Sequence, residues 1–256
     1  MSAPHGYLAQ QRPVPIAHRG GSLEAEENTL AAFARAVALG YRHVETDVHL
    51  TADGEVVIHH DATLARMTGD PRAIAALNWS ELSRLRTRGG APIPRLAALL
   101  EEFPRLRVNI EAKSDAVVEP LARLLQRMNA LPRVGIGSFA ATRTARLRAQ
   151  LGDSLCWSPS HRGVLGVWLR GWGVPLPHGR FPVLQVPRAY KGIAVVTPRF
   201  VRAAHARGIQ VQVWTVDEAE AMHALLDMGV DGLMTDRPTL LKEVLTARGE
   251  WRDGDA

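Results

Sequence analysis

Strand-like and helix-like segments alternate along almost the whole chain, and nothing else in the sequence restricts the possible folds as strongly. Short apolar runs at Val14–Ala17, Arg42–Val48, Arg107–Ala112, Val134–Phe139, Ser154–Trp157, Pro182–Val186, Gln210–Val216 and Gly232–Thr235 read as eight strands. Helical periodicity follows most of them, at Ala116–Asn129, Ala141–Leu151, Pro198–Arg207, Glu218–Met228 and Thr239–Arg248. After the first strand, Asn28-Thr29 caps a helix with apolar Leu30, Phe33, Ala34, Val37 and Ala38, stopped by Gly40. Strands that alternate with helices pair in parallel. Eight such units in 256 residues match a (β/α)8 TIM barrel, an α/β fold. The competing open, doubly wound sheet would carry a glycine-rich dinucleotide fingerprint after its first strand, and none stands there.

Two stretches interrupt the rhythm. Asp53-Gly54 reads as a turn that makes 48–60 a hairpin-like excursion, and short helices follow at Ser80–Leu85 and Arg95–Phe103. Residues 1–13 read as a polar arm with little to pack, and 249–256 as a tail.

In a barrel, strand C-termini and the loops after them form the active-site face. His18 and Arg19 follow the first strand, Glu45 and Asp47 end the second, and Glu111 and Lys113 end the third. Strand alternation puts Glu45 with Asp47, and Asn109 with Glu111 and Lys113, on one face, while Val44, Val48, Val108, Ile110 and Ala112 take the other. Trp214 shares the inward parity with Gln210 and Gln212. Three neighbouring carboxylates repel one another, so they call for a cation or a shared proton. An all-oxygen set suits Mg²⁺ or Ca²⁺, whereas zinc would want histidine or cysteine pairs at ligand spacing. The plainer alternative pairs the carboxylates with arginines at the strand ends, but Arg19 and Lys113 cannot neutralise three. His18 and His60 suit an acid/base pair, because histidine titrates near neutral pH. His59 is the adjacent alternative; alternation lets one of the two face the pocket, and His60 lies nearer the turn at Asp61.

The motifs HRG, ENT, the E-T-D strand, HHD, NIEAK, VWTV and GVDGLMTDRP resemble the glycerophosphodiester phosphodiesterase family in order and spacing, over about residues 14–248. The resemblance implies a barrel with a small insertion after the second strand, here about 48–105, and metal-dependent hydrolysis of glycerophosphodiesters to glycerol 3-phosphate and an alcohol. It makes Glu45, Asp47 and Glu111 metal ligands and His18 and His60 the acid/base pair. It also makes Arg19 and Lys113 phosphate contacts, with Trp214 beside the substrate. Glu26 stands where the family often has proline, and Asp217 where it often has asparagine. Alternative activities are a lysophospholipase D type of reaction on lysophospholipids, or a non-catalytic phosphate-binding barrel. An aldolase or isomerase would want a Schiff-base lysine or a phosphate-gripping loop, and Asp236-Arg237-Pro238 is a poor phosphate nest.

Charge and composition narrow the partners. The net charge of +5 favours anions, yet it is spread along the chain, with three lysines among 31 basic residues and no basic run with interleaved aromatics, so no nucleic-acid partner is expected. The substrate is expected to be a small glycerophosphodiester or a lysophospholipid. A single cysteine, no apolar run long enough for a bilayer and no signal-peptide pattern at the N-terminus point to a cytoplasmic protein. The segment 161–182 places Val164, Leu165, Trp168 and Trp172 on one stripe of a helix, beside Arg162, Arg170 and Arg180. It is read either as the fifth barrel helix or as an apolar wall beside the metal site, weakened as a helix by its glycines and able to contact a membrane surface.

Overall fold

The computed structural model describes residues 6–9, 12–174 and 181–252. Parts of the N-terminal arm, of the 161–182 segment (Arg180 included) and of the C-terminal tail lie outside these residues. The first barrel unit is β1 (Val14–Ala17) and α1 (Leu30–Ala38), and β2 is His43–Leu50. An excursion follows, with β3 (Val56–Ile58), α2 (Ala65–Thr68) and α3 (Trp79–Leu82), before α4 (Leu96–Glu102). Next come β4 (Arg107–Ala112), α5 (Val118–Arg127), β5 (Val134–Gly137), α6 (Ala141–Leu151), β6 (Cys156–Trp157) and α7 (His161–Gly171). The chain ends with β7 (Val183–Pro187), the hairpin β8 (Ala189–Tyr190) and β9 (Ile193–Ala194), α8 (Pro198–His205), β10 (Gln210–Trp214), α9 (Ala219–Asp227), β11 (Gly232–Thr235) and α10 (Pro238–Ala247).

Eight parallel strands run in the order β6-β5-β4-β2-β1-β11-β10-β7, nearly closing a barrel. The seam falls between β6 and β7, where the Gln185 amide donates to Ser158 Oγ at 2.9 Å. The hairpin reading of 48–60 holds, since β3 pairs antiparallel with β2.

Alternation decides what each strand contributes. On β4, Val108, Ile110 and Ala112 are fully buried against α5 residues such as Leu121 and Leu125, while Asn109 and Glu111 take the inward parity. Each buried Val or Leu is worth roughly 1.5–3 kcal/mol, so the outward faces hold the barrel and the inward faces are released for chemistry. The shell divides in two. One core spans Ala17 to Leu155, the other Val167 to Leu245, and Trp157 and Trp251 pack against both. The excursion has its own small core of Val57, Leu64, Ile74, Leu77, Leu82 and Ile93. Leu96, Leu99 and Leu100 instead join the first barrel core, so α4 is the helix of the second barrel unit.

Two expectations need correction. The arm does pack: Gly6–Leu8 forms a 3₁₀ turn, and Tyr7 is fully buried in a cluster with Cys156 and Val183, edge-on to His43 at 5.1 Å. One aromatic in a polar stretch gives no period to detect. The glycines of 161–171 also do not break α7. A side chain at Gly171 would come within 3.2 Å of the Arg199 backbone, and one at Gly163 within 2.5 Å of Pro159, so these glycines allow close packing on neighbours. The helix buries Val167 in the second core and keeps the apolar stripe beside the barrel mouth.

Candidate active site

The β2–β4 ladder pairs Glu45 with Asn109 and Asp47 with Glu111. This register brings Glu45, Asp47 and Glu111 together, with one carboxylate oxygen from each lying within 4.8 Å of the others. Glu45 and Asp47 are almost fully buried. Burial and the neighbouring Asp47 carboxylate push the Glu45 pKa well above its ordinary value, against the opposing effect of His18. Burial would raise Asp47 too, but Lys113 and Arg19 outweigh it and hold this carboxyl low. Lys113 Nζ lies 2.9 Å from Asp47 Oδ1 and 2.7 Å from Glu111 Oε2, and Arg19 Nε lies 3.2 Å from Asp47 Oδ2. Lys113 in turn is held above the usual lysine value, since these two carboxylates outweigh its burial. Glu45 is therefore left as the least compensated charge. The cluster fits a hard divalent cation by its donor set: three carboxylates converge, one of them buried and pushed toward its protonated form.

Asn28 holds the cluster from behind. Its backbone sits at φ 58°, its Nδ2 donates to Asp47 Oδ2 at 3.1 Å, and its Oδ1 accepts from Thr46 Oγ1 at 2.8 Å. The helix cap belongs to Thr29 alone, whose Oγ1 accepts from the Ala32 amide. Glu26, in the position where proline was expected, accepts from the Gly89 amide at 2.9 Å and ties this loop to the excursion.

His18 lies with Nε2 3.5 Å from Glu45 Oε2 and Nδ1 2.7 Å from Asp236 Oδ1. Burial opposes its charged form, but Glu45 and Asp236 outweigh that and raise its pKa. Asp236 follows β11, the last strand. It is itself placed by Asp217, whose Oδ1 accepts from the Asp236 amide at 2.7 Å and from Thr235 Oγ1 at 2.9 Å. The carboxylate at 217 thus does local work that an asparagine oxygen could share. In the sequence Asp236 reads only as part of a poor phosphate nest, and its position just after a strand end is the one signal that it belongs to the site.

The pairing has a measurable pH signature. A raised folded-state pKa means that the protonated His18–Asp236 pair stabilises the fold fully below the unfolded value of about 6.5, and that this contribution is lost as pH rises through the folded value. Asp236→Asn is expected to destabilise the chelator-treated protein by on the order of 1.5–3 kcal/mol near pH 6 and by less near pH 9. Denaturant midpoints at the two pH values check this; a difference that does not shrink at high pH would contradict the pairing.

Opposite His18 stands His60, its Nδ1 2.7 Å from Asp61 Oδ1. Burial works to raise the Asp61 carboxyl, but its bonds and charge interactions with Arg66 and His60 together outweigh that and hold it low. Arg66 Nη2 donates to Glu27 Oε1 at 2.6 Å, and Glu27 receives Arg19 Nη1 at 3.3 Å. A chain of ion pairs therefore links Arg19 to His60 through Glu27, Arg66 and Asp61; Glu27 and Asp61 stand in the ENT and HHD motifs, but nothing in the sequence marks Arg66. His59 is buried, with Nδ1 bonded to the Asp61 carbonyl at 2.8 Å, and only His60 lines the main cavity.

That cavity, about 740 Å³, takes in His18, Arg19, Glu45, His60, Glu111 and Lys113 on one side. Val164, Leu165, Trp168, Tyr190, Ile193 and Trp214 line the other, and the Trp214 ring meets Phe139 edge-on at 5.7 Å. Of the eight candidate site residues, seven line this cavity, while Asp47 is buried behind it and joins the site through Glu45, Glu111 and Lys113.

A parallel barrel with an acidic cluster, two histidines and two cations at the C-terminal ends of its strands is built as a barrel hydrolase of anionic esters. The model of the glycerophosphoryl diester phosphodiesterase family matches residues 18–240, and the chain belongs to that family. It is similar to a protein of Mycobacterium tuberculosis named as a probable glycerophosphodiester phosphodiesterase, 41% identical and aligned over 96% of this chain and 95% of the relative. A lysophospholipase D of Rattus norvegicus is 28% identical, over 90% of this chain and 85% of its own length. The solved glycerophosphodiester phosphodiesterase of Agrobacterium tumefaciens superposes with a TM-score of 0.75 at 25% identity, covering 89% of this chain and 98% of that one. An Oleispira antarctica phosphodiesterase in complex with sn-glycerol-3-phosphate shares the fold, with a TM-score of 0.76 at 24% identity over 92% and 97% of the two chains. The protein is accordingly a phosphoric diester hydrolase acting on glycerophosphodiesters.

Proposed function

We propose that the reaction depends on Mg²⁺ or Ca²⁺ held by Glu45, Asp47 and Glu111, with His18 and His60 transferring protons. The observation that carries this is the convergence of three carboxylates at a cavity that both histidines line. The bound cation supplies charge neutralisation at the phosphoryl oxygens. Arg19 and Lys113 meet the same oxygens as negative charge builds up in the transition state. With both Nδ1 atoms engaged by aspartates, Nε2 is the nitrogen each histidine offers to substrate. One takes the proton of the attacking oxygen, which the family resemblance makes the substrate's own glycerol hydroxyl. The other protonates the departing alkoxide as its bond to phosphorus breaks, and water then opens the cyclic phosphate. A reducing cytoplasm suits the one buried cysteine.

The apolar side of the cavity supports a lipid-like leaving alcohol, hence lysophospholipids beside water-soluble diesters. Relatives named lysophospholipase D, at 28% identity, favour the same reading. Trp168 lines the cavity, whereas Trp172 lies outside its lining, under the Arg199 guanidinium at 4.4 Å. Trp168→Ala is expected to lower kcat/KM for lysophosphatidylcholine by ~10-fold or more while changing that for glycerophosphocholine by less than about threefold. Trp172→Ala is expected to spare both. Equal losses on both substrates in Trp168→Ala would give this tryptophan a structural role and remove the lipid reading.

A further inference from the structure

Hydrophobic exposure on this protein is concentrated in one place. Of the eight large hydrophobic side chains exposed among the described residues, six lie between Phe139 and Val174 or on the β8–β9 hairpin, with Ile193 60% and Phe139 56% exposed. In this rim, Phe139, Leu165, Tyr190 and Ile193 line the cavity, and Trp172 and Val174 follow directly after α7 beside it. Phe139 meets His161 at 5.9 Å, His161 meets Tyr190 at 5.2 Å, Trp168 Nε1 donates to the Ala194 carbonyl, and Trp168 meets Trp172 at 5.9 Å. The hairpin itself is unusual for a protein that meets only water. All four of its strand residues, Ala189, Tyr190, Ile193 and Ala194, are apolar or aromatic and exposed. Its turn is Lys191-Gly192, both at positive φ, which suits a tight two-residue connection. Isolated two-stranded hairpins are marginal in water, and Tyr190 and Ile193 gain little there by flanking an exposed tip.

Charge gives the rim a preferred partner. From Ser154 to Val216 the sequence contains eight Arg and Lys and not one Asp or Glu, whereas the whole chain is only +5. The rest of the molecule is therefore net acidic, and the positive excess sits in the half that carries the rim. Lys191 crowns the hairpin, 5.6 Å from the Tyr190 ring, Arg199 covers Trp172, and Arg162 is exposed on the first turn of α7. Aromatic and aliphatic side chains interleaved with cations, around the opening of a cavity, match the layered chemistry of an anionic membrane surface: phosphate outside, acyl chains beneath.

We propose that this rim docks the enzyme on anionic bilayers, with Tyr190, Ile193 and Leu165 entering the headgroup layer and Lys191, Arg162 and Arg199 meeting lipid phosphates. Docked in this way, the cavity faces the bilayer. The inference does not depend on which diester is cleaved.

The test is co-sedimentation of the full chain with vesicles of phosphatidylcholine containing about 30 mol% phosphatidylglycerol, and with vesicles of phosphatidylcholine alone, at about 0.05 M and about 0.5 M salt. The partition coefficient is expected to fall ~10-fold or more without the anionic lipid and again at high salt. Ile193→Asp, and separately Lys191→Glu with Arg199→Glu, are each expected to lower it ~10-fold. Met228→Asp, at the opposite end of the barrel, is expected to leave it unchanged. These side chains are on the surface, so thermal midpoints should stay close to the parent's and report any misfolding separately. Failure of the parent protein to sediment with anionic vesicles would overturn the proposal, as would undiminished binding by the rim variants. A lipid-free dimer abolished by Ile193→Asp would assign the rim to a second copy of the chain instead. Vesicle binding without cleavage of lysophosphatidylcholine would leave the docking surface standing and remove the lipid-substrate reading alone.

Discussion

Glu111→Gln is expected to lower kcat/KM by ~10²–10³-fold and to raise the cation concentration needed for half-maximal rate by ~10–100-fold, with little loss of stability. Its carboxylate is one of three converging at the mouth, and the amide keeps its shape while removing the charge a hard cation needs. The stability forecast follows from the surroundings. The Glu111 side chain is partly exposed, and its partner Lys113 keeps the ion pair with Asp47 at 2.9 Å. Titrating Mg²⁺ or Ca²⁺ into chelator-stripped protein, with a parallel denaturation curve, checks both halves. Full activity of Glu111→Gln in excess chelator would end the metal assignment.

His60→Ala is expected to cost ~10²–10⁴-fold in kcat, the range for losing one positioned proton carrier. His59→Ala is expected to keep kcat within a few-fold and to lower stability instead, by about 1–3 kcal/mol. It buries an imidazole bonded to the Asp61 carbonyl and would leave that oxygen unsatisfied. Steady-state rates and denaturant midpoints on the same two samples separate the cases. If the rate loss falls on His59→Ala, the histidine facing the substrate has been misassigned.

Strand periodicity sorts the carboxylates but not the two histidines, which follow β3 (Val56–Ile58) and are separated in the sequence only by nearness to the turn at Asp61. A period of two distributes Glu45, Asp47, Asn109 and Glu111 to one face and their neighbours to the other. In the sheet, Asp47 does pair with Glu111, and the outward set does fill the first core. Sequence periodicity says nothing about residues that matter through a single distant contact. Asp236 reaches His18 across 218 positions, and Glu27 reaches Arg66 across 39, so neither contact leaves a local pattern. Tyr7 is similar, one ring in a polar stretch that fills the barrel's lower end. In α7 the apolar stripe points to the helix that forms, and packing on Pro159 and the Arg199 backbone gives the reason for glycines that weaken it locally. Asn28 was legible only in part, because its place before an apolar run suggested a cap while its amide holds Asp47.

The division of the barrel shell bears on how such a protein can change over time. Glu45, Asp47, Glu111, Lys113 and His60 are all borne by the half built on the first core, which ends at Leu155; Val164, Leu165, Trp168, Tyr190, Ile193 and Trp214 belong to the other. The two cores share Trp157 and Trp251 as packing partners, and the strands at the seam, β6 and β7, form no ladder. Substitutions that reshape the apolar half are therefore absorbed by a core that does not support the carboxylates. Descendants of one ancestral chain could exchange one leaving alcohol for another while inheriting the three carboxylates intact, provided Asp236, which the second half contributes to His18, stays in place.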